Sequence, residues 1–341
     1  MKFLRFFYKI EREMSLVKDE FAFIQSITPA YTFRKELIQG IGDDAALYHI
    51  ESEWDEIACT DTMVEGIHFK KSTLSPFQTG RKALAVNISD IAAMGGIPMF
   101  YLVSISVPQT GWSSKQLKEI YKGIKEIGDL YEMDMIGGDT VSTRGDLHIA
   151  ITVIGKVEKG RKLLRSNAKA GDVVFLTGPV GGSAAGLSSL LKGEGSDGAY
   201  VQFHQEPHPR VKQGRILAKG GYRISLNDVS DGIASESHEI AEASDVSIVL
   251  NQDAIPAPEG FEAYSSFQRL EWMLNGGEDY ELIGTVAEDD WANVVELFQE
   301  HQESIYKIGH VEDKGTSVWM SYKDQKFKLD KKGYNHFSSK E

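Results

Sequence analysis

The chain is 341 residues long, 41% hydrophobic and 26% charged, and at ~100–200 residues per domain that length predicts two domains. Its 37 basic and 50 acidic residues leave a net charge of −13, which argues against a nucleic-acid partner. The one cysteine, Cys59, excludes an intrachain disulfide and any cysteine-based zinc or iron–sulfur site. The aromatic opening Met1 to Tyr8 is broken by Lys2 and Arg5 and meets Glu11 where a small-residue cleavage site should stand, so no secretory signal is expected. Met14 serves equally well as a start. No run reaches the ~18 apolar residues of a membrane span, and a cytoplasmic protein with no membrane partner is expected. In chain order, Glu56 to Thr60 predicts a short strand running into Asp61. Arg81 to Met94 predicts a helix with Leu84, Ile88 and Ile91 on one face, stopped by Gly95-Gly96. Tyr101, Val103, Ile105 and Val107 alternate as a strand does. Ser113 and Gln116 form a capping box that opens a helix through about Leu130. Asp146 to Val157 predicts another strand, and the charged break Glu158 to Lys162 is the best domain boundary. Domains of 1–158 and 159–341 follow. Val173 to Leu176 predicts a buried strand, followed by a glycine-rich turn and a helix near Ser183 to Leu191. Gly193 to Pro209 reads as a loop whose His204 and His208 are solvated. Strands and helices interleave in both halves, which predicts an α/β (α+β) class.

The aspartates carry the functional signal. They cluster beside glycines at element ends: Asp43-Asp44 in GIGDDAAL, Asp61 in TDTMVEGIHF, Asp90 in NISDIAAMGG, Asp139 in IGGDT, Asp228 and Asp231 in NDVSDG, and Glu278-Asp279 in NGGEDYEL. Taken singly, each reads as a turn residue or helix cap. Together they would repel one another in a cleft unless cations neutralise them. Oxygen donors without Cys or patterned His point to Mg²⁺ or Mn²⁺. Common nucleotide signatures fail: no G-x-x-x-x-G-K-[ST] is present, and GPVGGSAAG, Gly178 to Gly186, lacks the dinucleotide order and reads as tight strand–helix packing. The lysines at 323, 326, 328, 331 and 332 read as an exposed basic face.

These motifs, with KALAVNISDIAAMGG and GYNHF, resemble the thiamine-monophosphate kinase family from about Phe21 to Phe337. The resemblance implies an aminoimidazole ribonucleotide synthetase-like architecture. Its N-terminal domain, with a mixed sheet, pairs in a homodimer, and its C-terminal domain is α/β. It implies ATP-dependent phosphorylation of thiamine monophosphate to thiamine diphosphate, with several Mg²⁺ ions and no general base. On this resemblance, metal binding falls to Asp44, Cys59 and Thr60 (through carbonyl or side chain), Asp61, Asp90, Asp139, Asp228 and Asp231, with Asp43 behind them. The metal-bound Asp61, Asp90 and Asp228 would carry the transfer. ATP contacts fall to Gly138, Asp139, Arg165, Ser230 and Tyr121, the last also readable as a core-helix residue. Substrate contacts fall to His68, Glu278 and Tyr334, a carboxylate and a ring that suit a cationic thiazolium. For Cys59 a buried small apolar role competes. Asn227, Asn275 and Asn335 depart from the family's usual residues. The chemistry is self-consistent, because a phosphate monoester, with a second pKa of ~6, is already ionised near neutrality. Other readings are a sister ATP-dependent enzyme of the same superfamily or a non-catalytic nucleotide or metal sensor.

Overall fold

Strand alternation and two capping boxes build the first half of the chain. The structure is a computed structural model that describes residues 37–39, 43–49, 53–194, 198, 200–313 and 315–332, all within the unit Glu36–Gly333. Tyr334, Asn335, Met14 and the Met1 to Tyr8 opening lie outside the described residues. Six strands, β1 (Leu37–Gln39), β2 (Ala46–His49), β3 (Trp54–Val64), β4 (Ile97–Pro108), β5 (Asp134–Thr143) and β6 (His148–Glu158), form a sheet in the order β1-β2-β3-β6-β4-β5. Its pairings are antiparallel except for parallel β4–β5, where the return needs the crossover helix α2 (Ser114–Leu130). Strand β3 runs past Asp61 to Val64, so Cys59 and Asp61 lie inside a strand and not at its end as the sequence suggested. The same alternation buries Asp55, Ile57, Cys59 and Met63 on one face.

Helix α1 (Pro76–Ala93) covers that face. Ser75 and Gln78 form its capping box, and Pro76 sits in the first turn, where no N–H is missed. The capping box of Ser113 and Gln116 opens α2 as expected. Helix α1 is buried on nearly every side, Arg81, Lys82, Asn87 and Ser89 included. The reason is its position between the first sheet and the second half of the chain.

The second sheet contains β7 (Asp172–Leu176), β8 (Ile224–Asp228), β9 (Ser247–Asn251), β10 (Leu282–Ala287), β11 (Tyr306–Glu312), β12 (Val318–Tyr322) and β13 (Gln325–Leu329), in the order β13-β12-β9-β11-β7-β10-β8. Helices α3 (Gly182–Lys192), α4 (Val201–Gln205), α5 (Val211–Gly220), α6 (Ile233–Ser244), α7 (Ser266–Asn275) and α8 (Trp291–Glu300) complete it. Both faces of this sheet are covered. Val174 and Leu176 pack with Ile233 and Ile240 of α6, whereas Val173 and Phe175 pack with Leu217 of α5 and Phe298 of α8. A strand buried on both faces reads as the continuous apolar run seen at Val173 to Leu176. The stretch 193–209 is not all loop: it contains α4, and His204 is only 2% exposed, because α4 packs beside α3 and against α1. His208 and the C-terminal lysines are exposed as expected. No described helix is long and apolar enough to cross a membrane.

Candidate functional site

Three carboxylates from distant parts of the chain converge. Asp44 comes from the bend before β2, Asp90 from the last turn of α1, and Asp228 from the end of β8. One oxygen of each lies within 4.8 Å of the others. Burial pushes the Asp44 and Asp90 carboxyls well above the usual carboxylate range; Arg165 opposes the shift at Asp44 while Asp228 and Asp43 add to it, and Asp61, Asp228 and Asp44 add to it at Asp90. Burial likewise lifts Asp228 to about 6, although the Ser89 hydroxyl donates to Oδ2 at 2.6 Å and Arg165 opposes the shift. Asp61 stands beside this group: its carboxyl shares a hydrogen bond with Asp90, and its backbone N–H donates to Asn87 Oδ1 at 3.0 Å. The buried Cys59 thiol donates to Asn87 O at 3.4 Å; burial first, then the nearby Asp90 and Asp61 carboxylates, push it well above its ordinary pKa. It is held as a thiol.

Arg165 is the counterion of this cluster. From a short 3₁₀ turn, Arg165–Asn167, its guanidinium pairs with Asp44, with Glu239 at 2.7 Å and with Asn227 Oδ1 at 3.0 Å, while its backbone N–H donates to Asp43 Oδ2. Burial opposes its charge, but Asp44, Glu239, Glu236 and Asp43 together raise its pKa. Asn227, fully buried, passes the contact on by donating from Nδ2 to Glu236 Oε2 at 2.6 Å. Glu236 also accepts from the Asp231 backbone N–H at 2.9 Å and from the Ser230 hydroxyl at 3.4 Å. Sequence reasoning missed Glu236 and Glu239. Their i, i+3 spacing on α6, directly after the SDG motif, was the available signal.

The Gly-Gly-Glu-Asp-Tyr segment lies against the same motif. The Glu278 N–H donates to Ser230 O at 2.7 Å and the Tyr280 N–H to Val229 O at 2.9 Å. Glu278 and Tyr280 both have positive φ, 68° and 51°, a backbone state that L-residues adopt only where the surroundings hold them. The Glu278 carboxylate meets Lys82 Nζ at 2.9 Å and His204 Nδ1 at 3.1 Å. Burial pushes that carboxyl up, and Lys82 and His204 more than reverse it, to about 2. Tyr280, also missed from sequence, is buried; burial first and then Glu278, Asp228, Asp61 and Asp231 raise its phenol well above its ordinary value. Asp279 caps α3, accepting from Gly181 N at 2.6 Å and Ser183 N at 3.0 Å. The glycine-rich run therefore holds the chain's own carboxylate, as a packing and capping element.

Several expected residues stand elsewhere. The Thr60 hydroxyl points to the opposite face of β3, donating to Ile151 O and accepting from Thr152 Oγ1, away from the carboxylates. Asp139 is exposed on β5, accepts from its neighbour Thr140 N, and is outside the group of Asp44, Asp90 and Asp228. Gly138 meets the backbone of β4 so closely that a Cβ would lie 1.9 Å from Val103 O, which gives it a packing reason to be glycine. Tyr121 is half-buried against the first core. His68 accepts from Val64 N at 3.0 Å in the turn after β3.

The description "AIR synthase related protein, N-terminal domain" matches residues 42–157, and the corresponding C-terminal description matches 169–320. A thiamine-monophosphate kinase of Bacillus subtilis (strain 168) is 48% identical over 331 residues, which is 94% of this chain and 99% of the relative. The chain belongs to the thiamine-monophosphate kinase family. Another thiamine-monophosphate kinase, from Escherichia coli (strain K12), is 34% identical over 90% of this chain and 94% of its own length. The solved structure of AaThiL complexed with AMPPCP and TMP superimposes with a TM-score of 0.79 at 29% identity, covering 94% of this chain and 97% of that one. The HypE–HypF complex, at 20% identity and a TM-score of 0.73, shares the fold alone. Asn227 has a visible use, since it links Arg165 to Glu236.

Proposed function

We propose that this chain transfers the γ-phosphoryl group of ATP to thiamine monophosphate, giving ADP and thiamine diphosphate. The observation that carries the chemistry is the convergence of Asp44, Asp90 and Asp228, three buried or half-buried carboxylates drawn to one point from three motifs. The choice of substrate follows kinship with thiamine-monophosphate kinases and with a structure that holds AMPPCP, an ATP analogue, and TMP.

The residues suit a hard divalent cation. The donors are carboxylate oxygens alone, and Asp44 Oδ2 is buried without a hydrogen-bond partner, an acceptor left open for a ligand. Asp44, Asp90 and Asp228, with Asp61 beside them, would hold Mg²⁺; Asp139 and Asp231 remain proposed ligands for further ions, with the backbone carbonyls of Cys59 and Thr60. When bound, magnesium neutralises phosphate oxygens and stabilises the charge of the phosphoryl group in flight. The attacking oxygen belongs to a phosphate already ionised near neutrality, so no side chain need act as general base. Arg165, Ser230, Gly138, Asp139 and Tyr121 are the proposed ATP contacts. His68, Glu278 and Tyr334 are those for thiamine monophosphate. A homodimer is part of this reading: β5 is an exposed edge strand with Met135 and Ile136 each 52% exposed and Val141 46% exposed, a surface that pairing would cover. A cytoplasmic location and a domain division at 158/159 complete the reading.

The test is incubation with ATP, Mg²⁺ and thiamine monophosphate, with free thiamine and aminoimidazole precursors as controls and products resolved by chromatography. Thiamine diphosphate should form only from the monophosphate, and EDTA should abolish its formation while the far-ultraviolet circular dichroism stays unchanged. Turnover of an aminoimidazole precursor, or full activity in EDTA, would overturn the reading.

A further inference from the structure

Lys82 is a lysine with no access to water. It is 0% exposed in the middle of α1, and its ammonium lies 2.9 Å from Glu278 Oε2 and donates to His204 O at 3.1 Å. Burying an ammonium is costly unless it is paired and hydrogen-bonded, so its place has to be explained by what it holds. What it holds is Glu278, whose side chain keeps 28% exposure while Lys82 and His204 are sealed behind it at 0% and 2%. Glu278 also sits at φ 68°, with its backbone N–H bonded to Ser230 O at 2.7 Å.

The same helix face grips the carboxylate cluster. Ser89, seven residues after Lys82 and so on the same side of α1, donates to Asp228 Oδ2 at 2.6 Å. Seven residues span roughly 10 Å of helix axis. One face of one rigid helix therefore sets the separation between the carboxylate that would serve the reacting phosphates and the carboxylate that would serve the rest of the substrate.

We propose that Lys82 and His204 are positioning residues that hold Glu278 as a neutralised, fixed-direction hydrogen-bond acceptor for the amino group of the substrate's pyrimidine ring. This rests on the reading of Glu278 as a substrate contact, and it changes the chemistry of that contact. A carboxylate already paired with an ammonium is a weak counterion for a cationic thiazolium. It remains a good acceptor, because pairing through Oε2 leaves lone pairs on Oε1. An N–H donor is what such a group recognises, and a substrate with an acceptor in that place would be rejected.

The experiment compares thiamine monophosphate with its analogue bearing an oxo group in place of the pyrimidine amino group, as substrates of the full chain with Mg²⁺ and ATP. The wild type should favour the amino substrate in kcat/KM by roughly ten- to hundredfold, the scale of a hydrogen bond to a charged group. Lys82→Met should lose most of that preference while the ATP dissociation constant, read by calorimetry, stays the same. In the Glu278→Gln background, Lys82→Met should have no further effect on the preference. A merely structural role would lower stability or kcat without moving the ratio. Should Lys82→Met not fold, His204→Gln carries the same test with a smaller loss expected. A wild-type ratio in a folded Lys82→Met or His204→Gln, with a reduced ratio in Glu278→Gln, would overturn the positioning role alone. An unchanged KM and ratio in Glu278→Gln would remove Glu278 as a substrate contact, and the proposal with it.

Discussion

Asp228 shows how one residue links folding to ligand binding. Its carboxyl is raised to about 6 by burial, against an ordinary value of 3.8. A raised carboxyl destabilises the folded chain when ionised, so the penalty is fully present above about 6 and is relieved as pH falls from there toward 3.8. In metal-free protein, Asp228→Asn should therefore raise Tm at pH 7.5, and the gain over wild type should shrink as pH is lowered to about 5. Thermal denaturation in EDTA across that range checks it, and a gain independent of pH would show that repulsion is not the cause. With Mg²⁺ and both substrates, the same variant should lose turnover by about two or more orders of magnitude if Asp228 holds the ion. Cys59 reads differently in structure than as a motif position. Its thiol is buried and its pKa raised, so a thiolate ligand is disfavoured and its backbone is the part left to contribute.

At the scale of the element, α1 decides most. It packs against α2 with backbone nearly touching backbone: a Cβ on Gly80 would lie 1.9 Å from Ile120 O, and one on Gly123 1.9 Å from Phe77 O. Gly80→Ala should therefore cost about 1–3 kcal/mol or more through overpacking, despite alanine's better helix propensity. Urea unfolding measures this; a neutral or stabilising result would mean the two helices can part at little cost. Because α1 also carries Lys82, Ser89 and Asp90, the folded fraction of this variant should keep a reduced kcat. The helix was legible in the sequence, but only one of its faces was. Leu84, Ile88 and Ile91 repeat at helical spacing, whereas the polar Arg81, Lys82, Asn87 and Ser89 carry no local signal that they are buried too. Their partners, Glu126, Glu278, Asp61 and Asp228, lie up to two hundred residues away or on another strand, and no local pattern announces them.

At the scale of the molecule, the edge of the first sheet bears on assembly. Strand β5 is exposed along nearly its whole length and bears Met135, Ile136 and Val141. On the proposed homodimer, Ile136→Lys should shift the chain toward monomer in sedimentation or light scattering at micromolar concentration, since a charge on a paired edge opposes association. Equal masses for the two forms would take β5 out of the dimer surface. The two halves of the chain are joined by polar contacts as well as apolar ones: Arg215 bonds Gly95 O and Glu158, and Arg81 bonds Pro207 O.

By itself the sequence determined the type of most elements it marked, the capping box of Ser113 and Gln116, the oxygen-only chemistry of the aspartate motifs and, through those motifs, the family. These are local properties, set by periodicity, capping and residue type within a few positions. Tertiary structure alone decided which aspartates meet. It joined Asp44, Asp90 and Asp228 and left Asp139 on an exposed edge, because convergence depends on how β2, α1 and β8 pack and not on any spacing along the chain. It also turned His204 from an expected solvated loop residue into a buried partner of Glu278, and it made Lys82 a buried cation. Burial is a property of the packed whole, and the charge it hides is tolerated only where another part of the chain answers it.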